Sequence, residues 1–138
     1  NEMKSQSINV PAELIARHGA VSSLVAQAMA RGALERAGSD FALAITGVAG
    51  PDGGSKDKPV GTVHIGLAQM RAGAVHATSR HFLFTGDRTM IRDRSAKCAL
   101  QMLRLALVGN ESEPLLWQVE PSATTAHESI RPEAQAIR

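Results

Sequence analysis

The run from Thr46 to Gly61, TGVAGPDGGSKDKPVG, holds five glycines and two prolines and follows directly on the apolar stretch FALAI. Glycines let a backbone come close to a ligand and take positive φ angles, and prolines stiffen the path between them. Such a loop can turn amide N–H groups toward an anion or a carbonyl. Gly/Pro clusters equally mark plain surface connectors, and spacing alone leaves both readings open. The run is not a P-loop, because Lys56 and Lys58 do not follow the glycines as GK[ST] requires. His64, His76 and His81 fall on expected strands without the spacing of a zinc site. Cys98, the single cysteine, falls on the buried stripe of an expected helix and reads as a small core residue.

The surrounding elements must present that loop. VPAELIARHG reads as a short helix, with Pro11 suited to its first turn and His18 and Gly19 to its end. A second helix follows over VSSLVAQAMARGALERAG, where Val21, Leu24, Val25, Ala28 and Met29 recur at helical spacing, Ser22 caps the start and Gly38 ends it. DFALAIT is too short for a helix and continuously apolar, which predicts a strand covered on both faces and entered by a parallel crossover. Beyond the loop, GTVHIGLAQM puts Val63, Ile65 and Leu67 on one face, RAGA is a hairpin turn, and VHATSRHFLF is the returning strand. GDRTMIRDRSAKCALQMLRLALVG gives a helical stripe of Ile91, Cys98, Met102 and Leu105, with Asp87 or Thr89 near its start and Gly109 at its end.

This order predicts an α/β fold, a three-layer α/β/α arrangement around a mixed β-sheet, in which ligands collect beyond the carboxyl ends of strands. TGVAGPDGG leaves one such end. Residues 1–109 read as the folded domain. Residues 110–138, broken by Pro114, Pro121 and Pro132, read as a partly disordered tail with one docked stretch around PLLWQV, where Trp117 is an anchor or an exposed side chain.

Composition narrows the function classes. Hydrophobic residues at 43% and charged residues at 20% are ordinary for a globular domain of 138 residues. The 15 basic and 13 acidic residues are interspersed, and aromatics are 3% with no tyrosine, which argues against a nucleic-acid surface with stacking platforms. One cysteine excludes an internal disulfide framework, and no apolar run is long enough to span a membrane. The expected location is the cytoplasm, without a membrane partner. The opening residue, Asn1, reads as the start of a processed or truncated chain.

AITGVAGPDGGSKDKPVGTVHIGLA, followed by RHFLFTGDR and a helix of R..A...AL..L character, closely resembles the CinA C-terminal domain family. HGAVSSLVAQAMARGALER and the opening NEMK are similar to that family too, and the likeness runs from about Asn1 to Val108. It implies a nicotinamide mononucleotide deamidase of the PncC type, hydrolysing the carboxamide to nicotinic acid mononucleotide and ammonia in pyridine nucleotide salvage. It also implies a homodimer with no metal and no organic cofactor. The chemistry it implies uses a serine nucleophile helped by a lysine and a tyrosine, in which a neutral lysine takes the hydroxyl proton and oriented donors hold the oxyanion.

By that resemblance Lys4 matches the family lysine, and Thr46, Gly47, Val48 and Ala49 match the substrate loop. Arg88 of GDR matches an arginine facing the substrate phosphate from a helix start. Read without it, Lys4 is a solvated lysine, Thr46 caps its own turn, and Arg88 pairs with Asp87 or Asp93. The family's tyrosine and its serine-bearing TAESCTGG-like turn fall upstream of Asn1. Ser5, Ser7, Ser22 and Ser23 do not stand in that setting. The competing expectation is a non-catalytic family member, a nucleotide-binding or protein-interaction module that keeps the loop and Arg88.

Overall fold

The structure, a computed structural model, describes residues 10–119. Its elements in chain order are α1 (Ala12–His18), α2 (Ser23–Ala37), β1 (Phe41–Gly47), β2 (Thr62–Arg71), β3 (Ala74–Leu83) and α3 (Arg88–Leu107). The strands form one sheet in the order β1-β2-β3. α2 packs on one face of the sheet and α3 on the other, giving the three-layer α/β/α arrangement. Both strand pairings among the described residues are antiparallel, and β1 follows α2 through the short turn at Gly38–Asp40 without a parallel crossover to a described strand.

Local chemistry sets these boundaries. The Ser22 hydroxyl accepts from the Val25 N–H at 3.3 Å and starts α2, and Gly38 ends it in the left-handed region at φ 60°. Asp87 performs the same service for α3, accepting from the Met90 N–H at 2.9 Å. The RAGA hairpin turns on Ala72 and Gly73, at φ 48° and 78°, the pair of positive angles that a two-residue turn of matching twist demands.

The core has two halves that share β2. Val63, Ile65 and Leu67 meet Phe82, Phe84, Ile91, Ala99 and Met102 on the α3 side. Ala44 and Ala68 meet Val25, Met29, Ala30 and Leu34 on the α2 side, with Leu14 and Ile15 of α1 packed at the edge of that cluster. The α2 face of the sheet is built from small residues because the helix lies directly on β2. A Cβ added at Gly66 would stand 2.2 Å from the Ala26 carbonyl oxygen.

Two expectations change. β1 is covered on both faces only over its first part: Phe41 and Leu43 pack against the α3-side cluster and Ala44 and Thr46 are buried beneath α2, whereas Ile45 is 41% exposed, because the first turns of α3 stand off from it. The buried stripe of α3 runs through Ile91, Ser95, Ala99, Met102 and Leu105. Cys98 sits at its margin, half-buried, and burial raises its thiol pKa. Ser95 is tolerated in the stripe because its hydroxyl donates to the Ile91 carbonyl at 2.7 Å.

Residues 115–119 lie along the outer edge of β3. The Leu83 N–H donates to the Trp117 carbonyl at 3.1 Å, and the Val119 N–H donates to the His81 carbonyl at 2.8 Å. Arg80 secures the approach, donating to the Glu113 carbonyl at 2.7 Å and to Gln118 Oε1 at 3.0 Å. Trp117 takes a left-handed φ of 63°, which costs a bulky residue about 1–2 kcal/mol. Edge-on contact with Phe84 at 6.0 Å and the Arg94 guanidinium 4.7 Å from its ring centroid offset that cost.

Candidate functional site

Because α3 stands off from β1, a cavity of about 380 Å³ opens between them. Ile45, Gly47 and Val63 line it from the sheet, Ala49 from the loop, and Arg88, Ile91, Arg92 and Ser95 from the helix. Its floor is apolar, and its charged lining is two arginines. The loop is held against the helix start by Arg88, whose Nη1 donates to the Gly50 carbonyl at 3.1 Å. Gly50 and Gly53 take φ angles of 79° and 89°, conformations that a side-chain-bearing residue rarely adopts.

A second polar group lies on the other face of the sheet. Thr46 is 4% exposed, and its hydroxyl donates to the Ala20 carbonyl in the α1–α2 connection at 2.7 Å. The register places Thr46 opposite His64, and His64 opposite His81. The two imidazoles stack at 4.4 Å, and His64 Nδ1 shares a hydrogen bond of 3.1 Å with the Ser23 hydroxyl. Desolvation, then the neighbouring His81, then Lys58 lower the His64 pKa to about 4, so the ring is neutral at pH 7. Burial lowers the pKa of His81 as well. Lys58 crosses from the glycine loop to donate to the His18 carbonyl at 3.0 Å, so Thr46 and Lys58 both grip the turn between the first two helices.

Gly47, Ala49 and Arg88 line one cavity. Thr46 is adjacent in sequence but points to the opposite face, and its contact is with the connection at Ala20, not with its own turn. Val48 has both main-chain groups engaged: its N–H donates to the Thr62 carbonyl at 2.9 Å, and its carbonyl accepts from Gly61 at 2.7 Å. Arg88 pairs with neither Asp87 nor Asp93, because Asp87 caps the helix and Asp93 pairs with Lys97 at 2.7 Å. Lys4 lies outside the described residues. Sequence reasoning missed Ile45 and Arg92. The second was detectable, since Arg88 and Arg92 are four apart and share a helix face. Among the described residues there is no group of three or more His, Cys, Asp or Glu side chains placed to hold a metal ion, and no helix is long and apolar enough to cross a membrane.

The family model described as the CinA C-terminal domain matches residues 1–107. A CinA-like protein of Geobacter sulfurreducens is 54% identical over 108 residues, covering 78% of this chain and 25% of that protein. A CinA-like protein of Citrifermentans bemidjiense is 49% identical over 114 residues, covering 83% and 27%. The chain thus spans about a quarter of the length of these relatives. Among solved structures, the competence/damage inducible protein CihA from Agrobacterium tumefaciens superposes with a TM-score of 0.69 at 42% identity, covering 78% of this chain and 64% of that one. A CinA superfamily protein from Klebsiella pneumoniae superposes at 0.70 with 35% identity, covering 79% and 66%.

Proposed function

Because the chain belongs to the CinA C-terminal domain family, we propose that it serves a nicotinamide mononucleotide deamidase, hydrolysing the ring carboxamide to the carboxylate with release of ammonia. The observation that carries this reading is the meeting of Gly47 and Ala49 of the glycine loop with Arg88 of GDR, residues of two separate family motifs, around one cavity of about 380 Å³. A cavity of that size suits a small ligand, and an apolar floor beneath cationic walls suits a pyridine ring carried on a phosphorylated sugar. Arg88 is assigned to the phosphate. Thr46 and Lys58 fix the connection between the first two helices.

In this reading Lys4, in its neutral form, accepts the proton of a serine hydroxyl as that oxygen attacks the carboxamide carbon. The proton then goes to the departing ammonia, and water releases the acid from the acyl-enzyme. The serine comes from an upstream turn of the kind the family carries. The second reading is nucleotide binding without turnover. The family likeness also points to a cytoplasmic homodimer, which light scattering of the eluted protein checks.

The test is ammonia release from nicotinamide mononucleotide by the 138-residue chain and by a longer chain supplying the serine-bearing turn, each with and without Lys4→Ala. The deamidase reading expects turnover in the longer chain and its loss on Lys4→Ala. Turnover that survives that substitution removes Lys4 from the chemistry, and binding without turnover in both chains leaves the second reading.

A further inference from the structure

Arg88 and Arg92 line the same cavity from successive turns of α3, and among the described residues no carboxylate lines it. The nearby acids are engaged elsewhere, Asp87 on the Met90 N–H at 2.9 Å and Asp93 on Lys97 at 2.7 Å. Arg88 donates to the Gly50 carbonyl, whereas Arg92 makes no hydrogen bond or ion pair with any described residue. Like charges four residues apart on a helix repel each other, and both stand near the positive end of the α3 dipole. Both arginines are solvent-exposed beside an apolar floor of Ile45, Val63 and Ile91, so their guanidiniums are open to an anion entering the cavity. Two planar forks on adjacent turns of one helix can share the three oxygens of a phosphoryl group, where a carboxylate offers only two.

The geometry points to a two-arginine clamp for a dianionic phosphomonoester, in which Arg92 sets the preference for phosphorylated over unphosphorylated ligands. This deepens the reading above and rests on it only for the pyridine ribotide as the natural ligand; the clamp itself needs no hydrolysis. Arg88, tied to the loop, is the fixed jaw, and Arg92, without a partner among the described residues, is the jaw that turns onto the ligand.

Calorimetric titration of the 138-residue chain with nicotinamide mononucleotide, nicotinamide riboside and ribose 5-phosphate tests it, for the unmodified protein, Arg92→Gln and Arg92→Lys. The ribotide is expected to bind at least tenfold tighter than the riboside, with the margin shrinking as salt is raised. Arg92→Gln is expected to weaken both phosphorylated ligands about tenfold and the riboside less than twofold, with Arg92→Lys in between. Equal weakening of ribotide and riboside, or no weakening of either phosphorylated ligand, overturns the clamp. Failure of every phosphorylated ligand to bind the unmodified protein overturns it as well. Should Arg92→Gln not fold, perturbation by ribose 5-phosphate of the Gly47, Ile91 and Arg92 amide resonances in the unmodified protein decides, and unmoved resonances overturn it. Ribose 5-phosphate bound through Arg92, with no ammonia released from the ribotide by any chain tested above, upholds the clamp and sinks the deamidase reading.

Discussion

Acid should unfold this protein through one imidazole. His64 has a pKa of about 4 in the fold against 6.5 in the unfolded chain. Between those values the unfolded chain holds a proton that the native ring does not, so stability is full above pH 6.5 and drains away as pH falls toward 4. The ring is only 8% exposed. Integrating over the two protonation equilibria gives a loss of about 2 kcal/mol by pH 5 and about 3 kcal/mol by pH 4. Among the described residues, His81 stacks on the ring, Lys58 adds a repelling charge, and Ser23 of α2 and Thr46 of β1 bring no charge. Urea titrations followed by circular dichroism at pH 7, 6 and 5 measure the loss, with His64→Gln as the control. The substitution should flatten the decline over that interval while lowering stability at pH 7. Identical losses in both proteins between pH 7 and 5 would refute the assignment, placing the acid sensitivity in the carboxylates or in the other histidines.

Two stability predictions test the packing. Gly66→Ala should cost about 1–3 kcal/mol in urea unfolding, since the added methyl meets the α2 backbone at Ala26, which no rotamer change can clear; an unchanged midpoint would mean the helix does not rest on bare strand. Ala72→Gly should raise stability or leave it unchanged despite the freer unfolded chain, because relief of the left-handed strain, about 1 kcal/mol, opposes that entropy; a clear loss would contradict the positive φ at this turn.

Much of this architecture was readable from residue order because local signals and tertiary demands agree. Ser22 and Gly38 bracket α2, Asp87 opens α3, and a two-residue turn at Ala72-Gly73 fixes a register that makes His64 face His81. The exposed face of β1 was not readable, because an unbroken apolar run looks the same whether a neighbouring helix covers it or stands off to leave a cavity. The separation of Thr46 from Gly47 and Ala49 was legible in principle from strand alternation, yet motif adjacency obscured it. Arg92 went unnoticed because a cation on a helix surface is ordinarily solvated. Only the placement of Asp87 and Asp93 on other partners distinguishes it.

The strip formed by residues 115–119 has a practical corollary. By occupying the Leu83 amide and the His81 carbonyl it hems the last three residues of β3, closing this stretch of the border to a stray strand. Trimming the protein at Gly109, where the last helix stops, would unpick the hem and turn an inert margin into an adhesive one.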